Sequence, residues 1–326
     1  MRKLSNWKTG FQDELGIVFA EAQDLLAAFP APLAIRGLQY LDKFNPLAAN
    51  STKNYICYLL PFWLQETVKA DQRICRRMAL ANVFLMLYFF IQDDVMDSTE
   101  VHTDWNQQLA LSNLFYLTFL NIYREDFPSE SSFWFHFQAY ITEWAVSVAT
   151  EGQASESAAD PIRFAKKAGP LKLASTGMLL LTDQTRVIKP VSDVVDQVLV
   201  TLQMVDDWVD WAEDLADGNE NSLLAFIRDE LQLPASDTLT VEQVNTVLTL
   251  QGGLERFAKQ ALARHEQLLQ AKPAIPLLLA FHDALAQDLL QASARLQQHK
   301  QARLRGGFVN WLAAKQEETA NVVLGS

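Results

Sequence analysis

An uncharged, apolar run from Met78 to Ile91 ends abruptly in three acids, Asp93, Asp94 and Asp97, and this junction limits the fold more than any other stretch. Read as a helix, the run is apolar on most of its faces and has to be buried. At its end Asp93 and Asp97 are i and i+4 neighbours, so both leave one face. Three carboxylates at the end of a core helix repel one another and gain nothing from packing. A cation among them explains the arrangement.

The rest of the chain gives that helix something to pack against. It has 326 residues, 49% of them hydrophobic, and only 11 prolines and 12 glycines, a composition that favours helices. Apolar positions recur at helical spacing over residues 11–29, 33–43, 55–68, 107–123, 133–150, 162–181 and 192–216. Further helices are expected at about 241–250, 253–271, 274–300 and 302–316. Pro61 falls inside one pattern, where a kink is expected, and Gly169-Pro170 inside another, where a bend is expected. Residues 151–161 (EGQASESAADP) and 217–222 (DGNENS) read as loops, with Ser222 as a helix cap. No alternation of period two is long enough for a strand. The expected fold class is an all-α helical bundle with a central cavity, formed by residues 1–326 as a single domain.

The formal charge of −12 argues against nucleic acid as a partner. It is compatible with an anionic small molecule if metal ions supply the positive charge. Cys57 and Cys75 are in no metal-ligand spacing and fit a reducing compartment. The stretch MRKLSNWKTGFQDELG lacks the apolar core of a signal peptide, and the Met78–Ile91 run is too short to cross a bilayer. A soluble cytoplasmic protein without a stable membrane anchor is expected. Arg73, Arg76 and Arg77 read as a solvated helix start rather than a phosphate site. The five histidines are scattered and make no metal pair.

A second acidic cluster lies about 110 residues after the first. Asp206, Asp210 and Asp214 are spaced i, i+4 and i+8 on one helical stripe, flanked by Asp207 and Gln203 and surrounded by Val205, Trp208, Val209 and Trp211. Like charges at i, i+4 destabilise a bare helix, so two such stripes on apolar helices are poorly explained as solvated faces. Hard oxygen ligands from two helices suit Mg²⁺, which keeps several waters and shares itself with phosphate oxygens. The chemistry that needs such a site is departure of a diphosphate, with an aromatic pocket sheltering the cation left behind.

These motifs resemble those of the class I isoprenoid synthases: trans-prenyl diphosphate synthases, terpene synthases and the squalene/phytoene synthases. FFIQDDVMDS resembles the first aspartate-rich motif of the prenyl diphosphate synthases, and QMVDDWVD the second. The resemblance covers roughly residues 45–225. It implies that Asp93, Asp94 and Asp97 bind metal, together with Asp206, Asp207, Asp210 and Asp214, and that three Mg²⁺ ions are the cofactors. It implies a prenyl diphosphate substrate met by Lys167, 39 residues before Asp206, where the family has a Lys-Thr pair. Lys166, Arg163 and Arg186 are further candidates for the diphosphate, with Gln203 and Trp211 beside the second cluster. Phe89, one turn before Asp93, and its neighbour Tyr88 stand where the family's bulky residues shorten the product. A homodimer is compatible with the family, although the sequence marks no interface.

The chain also departs from the prenyl diphosphate synthases. In place of their Gly-Lys-Arg-x-Arg segment stands Thr52-Lys53-Asn54-Tyr55-Ile56, and in place of an Arg-Arg pair after the first motif stands Glu100-Val101-His102-Thr103-Asp104. A second diphosphate needs its own cationic cradle, and most of it is missing. Asp206, Asp207, Asp210 and Asp214 fall instead on the four positions of the terpene synthase pattern (N/D)-D-x-x-(S/T)-x-x-x-E, though no C-terminal Arg-Tyr pair follows. The sequence expectation is therefore a terpene synthase, with Asp93, Asp94, Asp97, Asp206, Asp210 and Asp214 as its catalytic acids and the 216–222 loop as a lid. Prenyl chain elongation is the alternative. Head-to-head condensation, suggested by Gln203, Asp206, Asp210, Glu213 and Asp214, ranks third, and an inactive partner subunit is a further reading.

Overall fold

The computed structural model describes residues 7–97, 104–150, 162–234 and 237–323, except for the side chains of Asp97, Phe164 and residues 302–323. The 151–161 loop and the Glu100–Thr103 stretch lie outside the described residues. Among the described residues the regular elements are helical, and no strand occurs. The helices are α1 (Gln12–Ala27), α2 (Leu33–Lys43), α3 (Tyr55–Val68), α4 (Gln72–Asp97), α5 (Trp105–Asp126), α6 (Phe133–Ala149), α7 (Ile162–Lys166), α8 (Lys172–Leu181), α9 (Ile188–Asp217), α10 (Ser222–Glu230), α11 (Val241–Asn245), α12 (Gly253–Leu268) and α13 (Pro276–Val323).

The chain divides into two compact units. The first comprises residues 1–151, 159–200 and 267–282, and the second residues 152–158, 201–266 and 283–326. Both are discontinuous in sequence, and α9 runs without a break from one into the other.

In the first unit α4 packs against α1, α3, α5 and α8. Its apolar run is buried almost continuously from Met78 to Leu87. The stretch Gln72–Met96 is long and apolar enough to cross a membrane, but 72% of its most apolar window is buried among the neighbouring helices, as befits a core helix. Gly177 on α8 marks a close approach: a Cβ there would lie 2.8 Å from Met78 Sδ and 3.2 Å from Phe127 Cζ. The arginines that open α4 do not form a solvated face as expected. Arg76 pairs with Glu14 of α1 at 2.6 Å, and Arg77 with Asp126 and Glu125 of α5, both at 2.8 Å. Only Arg73 of the three is exposed. Charges at the end of a core helix are drawn to the acids its packing brings near.

The bend near Gly169-Pro170 takes the form of a 3-10 turn, Gly169–Leu171, between α7 and α8, and α3 runs on through Pro61. The break expected near residue 301 is absent, and α13 is continuous. The Gln, Lys, Ala and Arg residues there are good helix formers and no proline stops them. In the second unit Asn221, rather than Ser222, caps α10, its side chain accepting from Leu223 N and Leu224 N. Thr240 and Gln243 close a capping box on α11.

Candidate active site

The first acidic cluster is the last turn of α4. Asp93 is half-buried and Asp94 exposed. Asp94 Oδ2 accepts a hydrogen bond from Tyr40 Oη of α2 at 3.0 Å. Burial, then Asp94, then Asp93 push the Tyr40 phenol well above its usual range, so it stays protonated and donates. One turn before Asp93, Phe89 is 7% exposed. Its ring lies 4.7 Å from that of Trp144 on α6 and 4.9 Å from Tyr88. Tyr88 continues the cluster to Tyr116 and Phe119 of α5 at 5.4 and 5.9 Å. The helix that delivers the acids thus presents a connected aromatic group immediately below them.

The second cluster separates into carboxylates with different tasks. Asp207 is 2% exposed. Its Oδ1 accepts from Gln203 Nε2 at 2.8 Å, and its Oδ2 accepts from Ser222 N at 2.7 Å and from Ser222 Oγ. Burial pushes its pKa above the usual carboxylate value, and the Ser222 and Gln203 donors pull the other way. With both oxygens engaged, Asp207 is a tether for the start of α10. A metal role for Asp207, or a substrate role for Gln203, would have to compete with these bonds. Asn221 Nδ2 donates to the Asp207 carbonyl at 2.9 Å and to Asp214 Oδ2 at 2.8 Å, and Asn219 Nδ2 to Asp214 Oδ1 at 3.4 Å. These bonds fasten the 217–222 loop, within the 216–222 segment expected as a lid, to α9.

Asp206 and Asp210 remain. Both are exposed, and no hydrogen-bond donor to either occurs among the described residues. Although Asp206 has open surface, partial desolvation by the surrounding protein comes first, followed by repulsion from Asp210, Asp207 and Asp214. Together they push its pKa up to about 6. This donor set fits a hard divalent cation: oxygen-only, anionic, crowded and without protein donors. The described side chains contain no cluster of three or more His, Cys, Asp or Glu residues gathered as a metal cage. Mg²⁺ does not require one, since it is usually held by one or two carboxylates with waters and phosphate oxygens completing its shell.

The basic candidates are scattered. Arg163 and Lys166 are on α7, with Lys167 just beyond it, and all three are half-buried. Arg186 is exposed in the turn before α9. Trp211 is half-buried on α9.

Sequence reasoning missed Lys172, the first residue of α8. Its side chain is 4% exposed, and Nζ lies 2.8 Å from Asp196 Oδ1, 3.4 Å from Glu143 Oε2 and 4.7 Å above the Tyr140 ring. Burial works against its charge, but Asp196 and then Glu143 outweigh it, so its pKa lies above the ordinary lysine value. Next to it Tyr140 Oη lies 3.1 Å from Thr176 Oγ1 and 2.8 Å from Ser192 Oγ. The available signal was a single lysine in an otherwise small and apolar helix, KLASTGMLLL.

No family model matches the chain, and a search of curated proteins finds no match. Comparison with solved structures does find relatives of the fold. A geranylgeranyl pyrophosphate synthetase from the archaeon Geoglobus acetivorans superposes with a TM-score of 0.66 at 16% identity, covering 85% of this chain and 99% of that one. An FPPS from T. brucei, solved in complex with 2-(5-chlorobenzo[b]thiophen-3-yl)acetic acid, gives 0.55 at 16% identity, covering 85% and 98%. The all-α architecture is that of the class I isoprenoid fold in its trans-prenyl diphosphate synthase form.

Proposed function

We propose that this protein is an enzyme that ionises a prenyl diphosphate with the help of Mg²⁺. The observation that carries the reading is the Asp206–Asp210 pair, exposed and without a hydrogen-bond donor among the described residues, on a helix whose neighbouring acid Asp207 is tied to the next helix. Asp93 and Asp94, with Asp97, would hold cations at the first cluster, and Asp206 and Asp210, with Asp214, at the second. The bound metal would neutralise the leaving diphosphate. The chain's own contribution is to orient the carboxylates and to shelter an allylic cation beside aromatic faces, for which Phe89, Tyr88 and Trp144 are the candidates. Lys167, Lys166 and Arg163 are the candidates for direct contact with the diphosphate. The burial of α4 inside the first unit supports a soluble enzyme.

For the fate of the cation, the fold neighbours favour chain elongation over the cyclisation expected from the sequence, since both are named as synthases of prenyl diphosphates. Transfer to isopentenyl diphosphate is therefore the first reading. One observation supports the second, cyclisation or elimination. Lys53, the single cation where the family has a Gly-Lys-Arg-x-Arg segment, donates to Ala48 O and Ser51 Oγ of its own loop. It offers no ready cradle for a second diphosphate.

Incubation with Mg²⁺ and a C10, C15 or C20 prenyl diphosphate, with and without isopentenyl diphosphate, separates the two. A longer diphosphate formed only when isopentenyl diphosphate is present supports elongation. Hydrocarbon or alcohol released without it supports the second reading. Unchanged Mg²⁺ dependence in both Asp93→Ala and Asp206→Ala would remove the metal argument altogether.

A further inference from the structure

One face of α2 reaches the chain on both sides of the α4–α5 connection. Arg36 and Tyr40 are i and i+4 on that helix, so their side chains leave in the same direction. Arg36 Nη1 donates to Asp104 Oδ2 at 2.7 Å, immediately before α5 begins, and Tyr40 Oη donates to Asp94 Oδ2 at 3.0 Å in the last turn of α4. The Tyr40 ring does not swing freely. Phe44 meets it edge-on at 5.4 Å, Phe115 lies roughly parallel at 6.3 Å, and Lys43 Nζ sits 5.2 Å above its centroid. The oxygen is therefore delivered by a half-buried, ring-packed side chain on an element that is itself ion-paired to the residue just before α5.

An exposed aspartate at a helix end samples several rotamers, and each rotamer aims its oxygens differently. A donor fixed by its own packing selects one of them. It also occupies one oxygen, which leaves the other as the single-point ligand that Mg²⁺ prefers. Groups that orient a ligand in this way typically contribute tenfold or more to metal affinity.

We infer that Tyr40 is a positioning residue for Asp94, holding Oδ2 so that Oδ1 is presented to a cation, with Arg36 anchoring the α2 face that carries it. The inference rests on the metal role proposed for Asp94. Tyr40 touches neither cation nor substrate in this arrangement, and acts through the carboxylate alone.

The test is a double-mutant cycle on the full chain with Tyr40→Phe, Asp94→Asn and the combined variant. Mn²⁺ binding is titrated by electron paramagnetic resonance in the presence of inorganic diphosphate, and melting temperature is measured without metal. Tyr40→Phe removes one exposed hydrogen bond and keeps the ring packing, so the metal-free melting temperature is expected to stay near that of the parent. Mn²⁺ affinity is expected to fall by about tenfold. In the Asp94→Asn background the same substitution is expected to change affinity less than about twofold, because the group it acts through is already lost. Parental affinity in Tyr40→Phe, when Asp94→Asn has lost it, overturns the role of Tyr40 and leaves the metal site standing. Full additivity of the two losses shows that Tyr40 works by another route and also overturns it. Undiminished affinity in Asp94→Asn removes the metal role of that carboxylate and the inference with it.

Discussion

At the end of α4, Asp94 takes its hydrogen bond from Tyr40, 54 positions earlier in the chain. On α9, Asp207 and Asp214 are held by Gln203, Asn219, Asn221 and Ser222, none more than 15 positions away. The first cluster depends on tertiary packing to aim its oxygens, while the second is organised by its own helix and the strap that follows. The second cluster is also divided, with a buried acid tied to the next helix and two exposed ones that meet no donor among the described residues. Adjacent aspartates of similar sequence context therefore respond differently to substitution, and that difference can be measured.

Asp207→Ala should have the largest effect. It leaves the Ser222 amide and the Gln203 amide without their buried acceptor and should cost about 3 kcal/mol of stability by urea unfolding. Stability equal to that of the parent would show that Asp207 is not a tether. Asp206→Asn should invert that profile, with stability kept or raised by relief of repulsion and Mg²⁺-dependent turnover reduced on the order of a hundredfold. Steady-state diphosphate release and a melt on the same sample check both halves.

The pH dependence of the metal-free protein sharpens the contrast. The Asp206 carboxyl, normally near 3.8, sits at about 6 in the folded chain. Between those values the folded state keeps a proton that the unfolded state has lost. Stability in EDTA should therefore fall as pH rises from about 4 to about 6 and then level off. Asp206→Asn should flatten this slope, and Mg²⁺ should oppose it. A melting temperature that rises over the same range would contradict the crowding of the cluster. Asn221→Ala should have the smallest effect, about 1 kcal/mol, by uncapping α10 and loosening Asp214. A calorimetric melt and the amide exchange of Leu223 and Leu224, the two donors it caps, report it directly.

Much of the fold was legible because helical periodicity is a local property. The extents of α1, α4 and α9 follow from apolar spacing, and the break before α8 follows from Gly169-Pro170. The continuous α13 was read as two pieces because its surface residues weaken the apolar pattern without supplying a stop. In the site, the i, i+4, i+8 spacing set Asp206, Asp210 and Asp214 on one stripe with Asp207 flanking it, but gave no sign that Asp207 is the buried one. Spacing orders residues around a helix axis; it does not say which of two adjacent carboxylates meets the amides of the next turn.

The sequence by itself determined the helical class, the buried character of α4 and the placing of acids on the last turns of two apolar helices, because periodicity, burial and i, i+4 geometry follow from the order of residues. Only the tertiary structure decided that Arg76 and Arg77 join helices, that Lys172 is buried with Asp196, and that Asp207 is spent while Asp206 is not. Each of these depends on which donor or acceptor reaches within about 3 Å, and side chains far apart in the chain come that close only when whole helices pack.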